Sequence, residues 1–443
     1  MTPAPGPHGL PDARLEQNIA DAKPNFTPGE AVAEANRCLY CHDAPCIAAC
    51  PTGIDIPAFI RKIGTGNLRG SARTILSANL LGYSCARVCP VEVLCAGACV
   101  YNAWHRTPIR IGRLQRFAVE SQFDAGVATA LLSRAPGNGR RVACVGAGPA
   151  SLACAGYLAL EGCRVTVYEK NDLPGGLNAA GVAPYKMHAE GALAEVEFIR
   201  SLGVEIRTGM ELGRNLDAAT LLRDHEAVFL ALGLGRDSRL GVPGEDGPEV
   251  AGAIEWIERL KLEPGYALPG VEHAAVVGGG NTAIDAARAL AKLGVRDVVM
   301  LYRRTEADMS GYAHELELAR SEGVRLVERA VPSVFVRDGD VLRGIRLADG
   351  REFECDFALL AIGQGKLGAL LATFPGIVVG DDGRAQVDAD TGATGNPKVW
   401  IGGDASGGEL VVTAVQDGKR AARAIAASLG LPARADSPMN AGR

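Results

Sequence analysis

RRVACVGAGPASLACAGYLALEGCRVTVYEK, residues 140–170, decides the fold. A β-branched apolar run leads into a turn with Gly146 and Gly148. An Ala- and Leu-rich helical stretch follows, and then a second β-run that closes on Glu169. Strand, glycine turn, helix and strand in that order form a dinucleotide-binding β-α-β unit. The glycines let backbone approach a diphosphate held on the helix N-terminus, and the acid, 23 residues beyond Gly146, suits ribose hydroxyls. The third glycine position is Ser151, a departure expected to loosen helix-to-strand packing slightly. A lone glycine pattern can be only a tight turn, so the surrounding strand, helix and acid carry the reading.

The same pattern returns as HAAVVG, GGNTAIDAARALAKLG and VRDVVMLYR. Gly278, Gly280 and Ala283 occupy the fingerprint positions, with Asn281 and Thr282 opening the helix. Here the second strand ends in Arg303 and Arg304 instead of an acid, and paired guanidinium groups suit a ribose 2′-phosphate, favouring NADPH over NADH. The alternative is a solvated surface pair. Near the C-terminus, VWIGGDASGGELVV reads as a strand, then Gly402, Gly403 and Asp404, then a helix from about Val412. It is expected to close a flavin domain, with the acid on the ribityl chain and the helix N-terminus facing the ring.

Residues 1–135 differ from the rest. Stretches such as TPGEAVAEANRCLY and PIRIGRLQRFAVESQF repeat apolar residues at three and four, and Thr27 with Glu30 forms a capping-box pattern. Eight of the twelve cysteines, Cys38, Cys41, Cys46, Cys50, Cys85, Cys89, Cys95 and Cys99, fall within 62 residues, where an even spread would place fewer than two. Their spacing is C-x2-C-x4-C-x3-C-P followed by C-x3-C-x5-C-x3-C. The first run is a looser form of the bacterial ferredoxin pattern. Zinc is the alternative, since C-x2-C pairs also build zinc ribbons. Cys144, Cys154, Cys163 and Cys355 stand singly in apolar surroundings and read as core residues.

Composition narrows the function. The chain has 443 residues, and 46 Lys+Arg against 51 Asp+Glu give a net charge of −5. It lacks the basic field and Lys/Arg blocks that sequence-independent nucleic-acid or membrane-surface binding requires. No stretch reaches 18 uninterrupted apolar residues and the start has no apolar signal region, so a cytoplasmic location is expected. There disulfides are disfavoured, leaving metal ligation or redox chemistry for the cysteines.

Together these residues resemble the flavoprotein reductases with two dinucleotide-binding domains, the nicotinamide domain being inserted between the connections ALGLG (231–235) and AIGQG (361–365). The implied partition is a helical iron–sulfur domain over 1–135, an FAD domain over 136–245 and 361–443, and an NAD(P) domain over 246–360. Disulfide reductases of that group carry a C-x2-C beside the flavin, and none occurs here beyond residue 99.

With its cysteines included, the chain resembles the N-terminal half of the dihydropyrimidine dehydrogenase family, with its bacterial PreT-type subunits, and more distantly the glutamate synthase small subunits. The resemblance implies one [4Fe-4S] cluster on Cys38, Cys41, Cys46 and Cys99, and a second on Cys50, Cys89, Cys95 and Gln115. Cys85 would not be a ligand. Gln115 in PIRIGRLQRFA and Ser151 favour the dihydropyrimidine branch, because glutamate synthase small subunits have Glu at the position of Gln115. Further implied flavin contacts are Gly175, Gly176, Leu177 and Leu212, with Lys186 where the family commonly has an arginine; the exchange keeps charge but loses the fork.

The resemblance also implies an activity: NAD(P)H reduces FAD, single electrons cross both clusters, and a separate FMN- and iron–sulfur-containing subunit (PreA-like) in a hetero-oligomer interconverts uracil or thymine with their 5,6-dihydro forms. No FMN barrel is found in the 443 residues, and no side chain is assigned as a catalytic acid or base. The alternatives are electron input to glutamate synthase or another NAD(P)H:ferredoxin-type reductase, or, from a different class, a non-catalytic redox sensor. The tail after about residue 430 matches nothing in the family and is expected to be disordered.

Overall fold

A computed structural model describes residues 9–432 and 437–440. The chain divides into two compact units. One comprises residues 23–179, 190–234 and the part from 366 onward; the other comprises residues up to 22, 180–189 and 235–365.

The first unit centres on a parallel sheet in the order Val399–Ile401, Ala227–Leu230, Arg141–Val145, Arg164–Tyr168, Glu205–Arg207. The helix Pro149–Leu160 is buried all round, from Ala150 to Leu160, which is why its sequence shows no polar face. Small residues make that burial possible: a Cβ on Gly418 would stand 2.1 Å from the Ala150 carbonyl oxygen, so Val411–Ser428 crosses backbone to backbone. On another side Gly156 meets Leu80 of the N-terminal helices, where a Cβ would lie 2.7 Å from a methyl.

Those N-terminal helices are Pro28–Ala35, Pro45–Ala48, Ile56–Gly64, Leu68–Ala78, Gly82–Val88 and Ile111–Asp124. The first starts with the expected capping box, Glu30 N–H donating to Thr27 Oγ1 and Thr27 N–H to Glu30 Oε2. They share one hydrophobic core with the flavin-type sheet. The buried Lys419 ties the two together by donating to the carbonyls of Ala78 (2.9 Å) and Thr52 (3.4 Å).

The second unit repeats the plan, with parallel strands Val250–Gly252, Phe357–Leu360, His273–Val277, Asp297–Leu301 and Arg325–Val327, plus an antiparallel three-stranded sheet over 332–354. Four segments depart from the expected partition: 235–245 and 361–365, at the borders of the insertion, belong to this unit and not to the flavin-type one, and two further excursions join them. Residues 9–22 belong to this unit and not to the helical module, and so do 180–189, which leave the flavin-type unit. Packing explains the second excursion: Ala183 and Tyr185 join Ile19 in a small core, and the buried Lys261 donates to the carbonyls of Val182 and Met187.

The tail also differs from expectation in its described part. Met439 is buried, its carbonyl accepts from Arg423, and Ser437 donates to Glu161, so residues 437–440 are packed rather than disordered. The remaining tail positions lie outside the described residues. Cys144, Cys154, Cys163 and Cys355 are all fully buried, as expected. Among the described residues no helix is long and apolar enough to cross a membrane.

Candidate iron–sulfur and dinucleotide sites

Four of the N-terminal cysteines share one pocket, and the other four lie close to one another. Cys38, Cys41, Cys46 and Cys99 line one pocket together with Ile56, Ile60, Ile109 and Ile111. Burial pushes the Cys46 thiol up to about 12, with Cys38, Cys99 and Cys41 adding like-charge repulsion, and burial raises Cys38 in the same way. Thiols so placed ionise only against a bound cationic centre, which is how a metal cluster couples to such a site.

The second set gathers around Cys89. Its thiol is hydrogen-bonded to Cys85 and buried, with Cys95 and Cys50 close enough to repel its charge, and all of these raise its pKa. Cys95 is pushed up to about 12, by burial and then by Cys50. Cys50 Sγ lies 3.4 Å from Thr52 Oγ1. Gln115, on the facing helix Ile111–Asp124, is buried and donates through Nε2 to the Gly82 carbonyl at 2.8 Å, one turn before Cys85; this orients the amide. Cys85 is an additional thiol beside Cys89, and Cys46 stands close enough to Cys95 to raise it as well, so the two groups of cysteines adjoin.

Among the described residues no three His, Cys, Asp or Glu side chains are arranged to hold a metal ion. A tetrahedral zinc needs ligands meeting within about 2.0–2.3 Å of one point, whereas a cubane spreads its irons so that ligands stand around it. Four thiols around one pocket are the donor set that a [4Fe-4S] cluster takes.

Sequence reading missed Glu195. It is fully buried on the helix Ala189–Ser201, and accepts from Tyr83 N–H (2.9 Å), Ser84 N–H (3.3 Å) and the Ser84 hydroxyl. It therefore anchors the start of the helix that carries Cys85 and leads to Cys89. Its only sequence signal is an acid on the apolar face of AEVEF.

In the same unit the first glycine turn forms a cradle. Gly146 has φ +91° and a Cβ there would stand 2.4 Å from the Ala231 carbonyl oxygen, so only glycine fits against the start of ALGLG. Glu169 accepts from Ala147 N–H at 2.7 Å and from Asn171 N–H at 2.9 Å, which holds the carboxylate on the turn. Gly175 donates to Ala147 O, and a Cβ on Gly176 would meet Gly148 Cα at 2.8 Å. Gly403 approaches Ala150 at the helix start. Its N–H donates to Asp417, a second carboxylate that sequence reading missed.

Burial raises Asp404, and the cations of Lys366 and Arg384 oppose that rise. Gly146, Gly148, Glu169, Gly175, Gly176, Gly403 and Asp404 thus come together. Leu177, 38% exposed, opens the short helix Leu177–Ala180 beside them, and Leu212 is buried in the core with Val145 and Tyr168. Ser151 at the third glycine position is fully buried, and its hydroxyl reaches Val145 O at 3.5 Å.

Lys186 sits in the nicotinamide-type unit with its ammonium on Asp285 (2.7 Å) and Glu315 (3.2 Å), beside the Tyr185 hydroxyl that donates to the same Asp285. Those two carboxylates are invisible to a local motif.

The second glycine turn is built like the first, a Cβ on Gly278 standing 2.4 Å from Ala361 O at the start of AIGQG. Gly280 caps the helix Asn281–Lys292, and Asn281 Oδ1 accepts from Tyr312 N–H at 2.9 Å while Gly311 N–H donates to Gly279 O, so the loop 308–312 lies against the turn. Thr282 is half-buried on the first helical turn. Arg303 and Arg304 follow the strand Asp297–Leu301 and are exposed.

Comparison with known proteins agrees with this geometry. Residues 140–418 match the pyridine nucleotide-disulphide oxidoreductase family, and residues 15–127 match the family described as dihydropyrimidine dehydrogenase domain II, 4Fe-4S cluster. The chain belongs to the pyridine nucleotide-disulphide oxidoreductases. Within them this oxidoreductase groups with the PreT-type subunits. It is 35% identical over 415 residues to the NAD-dependent dihydropyrimidine dehydrogenase subunit PreT of Escherichia coli O157:H7, covering 93% of this chain and 97% of that one. It is 30% identical to the glutamate synthase [NADPH] small chain of E. coli K12, covering 90% and 92%. Thioredoxin reductase from T. acidophilum shares the fold, with a TM-score of 0.53 and 21% identity over 65% of this chain and 98% of that one.

Proposed function

We propose that this oxidoreductase is the electron-input subunit of a dihydropyrimidine dehydrogenase. It takes reducing equivalents from NADPH or NADH and delivers them to a separate FMN- and iron–sulfur-containing subunit in a hetero-oligomer, which interconverts uracil or thymine with their dihydro forms. The observation that carries this reading is the full-length similarity to the PreT subunit.

Bound FAD would supply the conversion of a two-electron hydride into single electrons. The chain's own residues do the holding. Gly146 and Gly148 admit the FAD diphosphate to the helix start, Glu169 presents a carboxylate to its ribose, and Asp404 stands ready for the ribityl hydroxyls. Cys38, Cys41, Cys46 and Cys99 would hold one [4Fe-4S] cluster; Cys50, Cys89, Cys95 and Gln115 would hold the other. In the second unit Gly278, Gly280, Asn281 and Thr282 take the coenzyme diphosphate, and Arg303 and Arg304 favour NADPH. Hydride and electron transfer depend on positioning and exclusion of water, so no acid or base is assigned.

Glutamate synthase input is the second reading, supported by the similar coverage of that small chain. Gln115 supports the first. The test is co-expression with an FMN-barrel subunit, followed by assay of the purified complex. NAD(P)H-dependent reduction of uracil or thymine is expected. A complex that leaves both untouched while converting 2-oxoglutarate and glutamine refutes the assignment.

A further inference from the structure

We infer that Arg329 is a third arginine of the coenzyme 2′-phosphate site and sets its preference for NADPH. This rests on the reading of the second unit as an NADPH domain, and it adds a residue that no fingerprint contains.

Arg329 has a φ of +51°, in the left-handed region that glycine or asparagine usually occupies. A long cationic side chain is kept there at conformational cost, and such outliers concentrate at ligand sites. Backbone hydrogen bonds lock the position. Arg329 N–H donates to Arg304 O at 3.0 Å, Ala330 N–H to Tyr302 O at 2.8 Å and Tyr302 N–H to Val327 O at 3.0 Å. The Arg351 guanidinium holds the same turn from outside by donating to Arg329 O at 3.1 Å. Arg329 is thereby fixed one hydrogen bond from Arg304, at the C-terminal ends of the adjacent parallel strands Asp297–Leu301 and Arg325–Val327. Open α/β sheets bind ligands at that end of their strands.

Charge pairing sets these residues apart. Arg320 is bound to Glu306 and Glu317, Arg325 to Asp297, Arg346 to Glu352 and Arg351 to Asp349. The nearby acids are engaged too. Glu306 serves Arg320, Glu328 accepts from Glu306 N–H, and Asp308 accepts from Thr305. Arg303, Arg304 and Arg329 are exposed and, among the described residues, form no salt bridge; only Arg304 stands near enough to a carboxylate, Asp308, to help lower its pKa. Three guanidinium forks, none held in a salt bridge by the protein, match a phosphate monoester, which offers a double charge and three acceptor oxygens.

The test is calorimetric titration of the holoenzyme with 2′,5′-ADP and, as a control lacking the 2′-phosphate, 5′-AMP. R329G suits the left-handed backbone, and R329N is a second variant that does so. Both are expected to weaken 2′,5′-ADP roughly tenfold, the loss of one charge-assisted contact, and to leave 5′-AMP unchanged. R329K should fall between wild type and R329G. If R303A weakens 2′,5′-ADP and R329G does not, Arg329 is a surface arginine and the inference is overturned while the NADPH reading stands. If the wild type binds both probes equally, the NADPH reading fails and takes the inference with it.

Discussion

Replacing Glu195 with glutamine tests whether the anchor beside the second cysteine set is a buried, protonated carboxyl. Burial pushes this group from an ordinary value of 4.5 up to about 8, against hydrogen bonds from Ser84 and Tyr83 and the Arg87 guanidinium that favour the anion. Between those two values the native protein keeps a proton that the unfolded chain has released. Stability contributed by that proton is complete below about pH 4.5 and is lost as the pH rises through about 8.

Each pH unit inside the window carries ~1.4 kcal/mol, so the ceiling is ~5 kcal/mol, with about 2 kcal/mol falling between pH 6 and pH 8. E195Q copies the protonated form and removes this slope. Urea unfolding at pH 6, 7 and 8, followed by far-ultraviolet circular dichroism, should show E195Q gaining on wild type by about 2 kcal/mol across the series. Parallel curves would refute the reasoning, because they would mean that the carboxylate is already charged in the native state.

Two further outcomes follow from the packing and the cysteine grouping. G418A places a methyl 2.1 Å from the Ala150 carbonyl oxygen, so the helix Val411–Ser428 must shift off Pro149–Leu160. The cost is ~1–3 kcal/mol, and the purified protein should carry less FAD per chain, read from its visible absorbance. C46A and C99A should each remove one cluster's share of iron and leave the other's spectrum intact, whereas C89A and Q115A should alter only the complementary spectrum. Iron content unchanged by C46A or C89A would contradict the interleaved sets.

Much of this architecture is legible locally. The two glycine turns, their strands and the capping box at Thr27 are short-range patterns, and the structure reproduces them because Gly146 and Gly278 meet the same obstacle, a carbonyl at the end of the neighbouring strand. The four isolated cysteines were legible as core from their apolar neighbours. What sequence did not disclose depends on long-range partners. Lys186 is paired with Asp285 and Glu315, about 100 and 130 residues away. Residues 9–22 and 180–189 change units because Ile19, Ala183 and Tyr185 complete a small core that no local periodicity announces. Met439 is buried although its surroundings read as a polar tail. Glu195 acts on backbone amides 111 and 112 residues away, so it belongs to no motif, whereas Asp417 reaches back 14 residues to Gly403 N–H.

The central claim is that hydride equivalents leave this chain as single electrons through its N-terminal cysteine sites. Anaerobic mixing of the reconstituted holoprotein with NADPH, followed in one experiment by flavin absorbance and by electron paramagnetic resonance of freeze-quenched samples, tests it directly. The account predicts bleaching of the flavin and the appearance of reduced iron–sulfur signals, with one of those signals altered in Q115A. Flavin bleaching with no iron–sulfur signal at any time would contradict it.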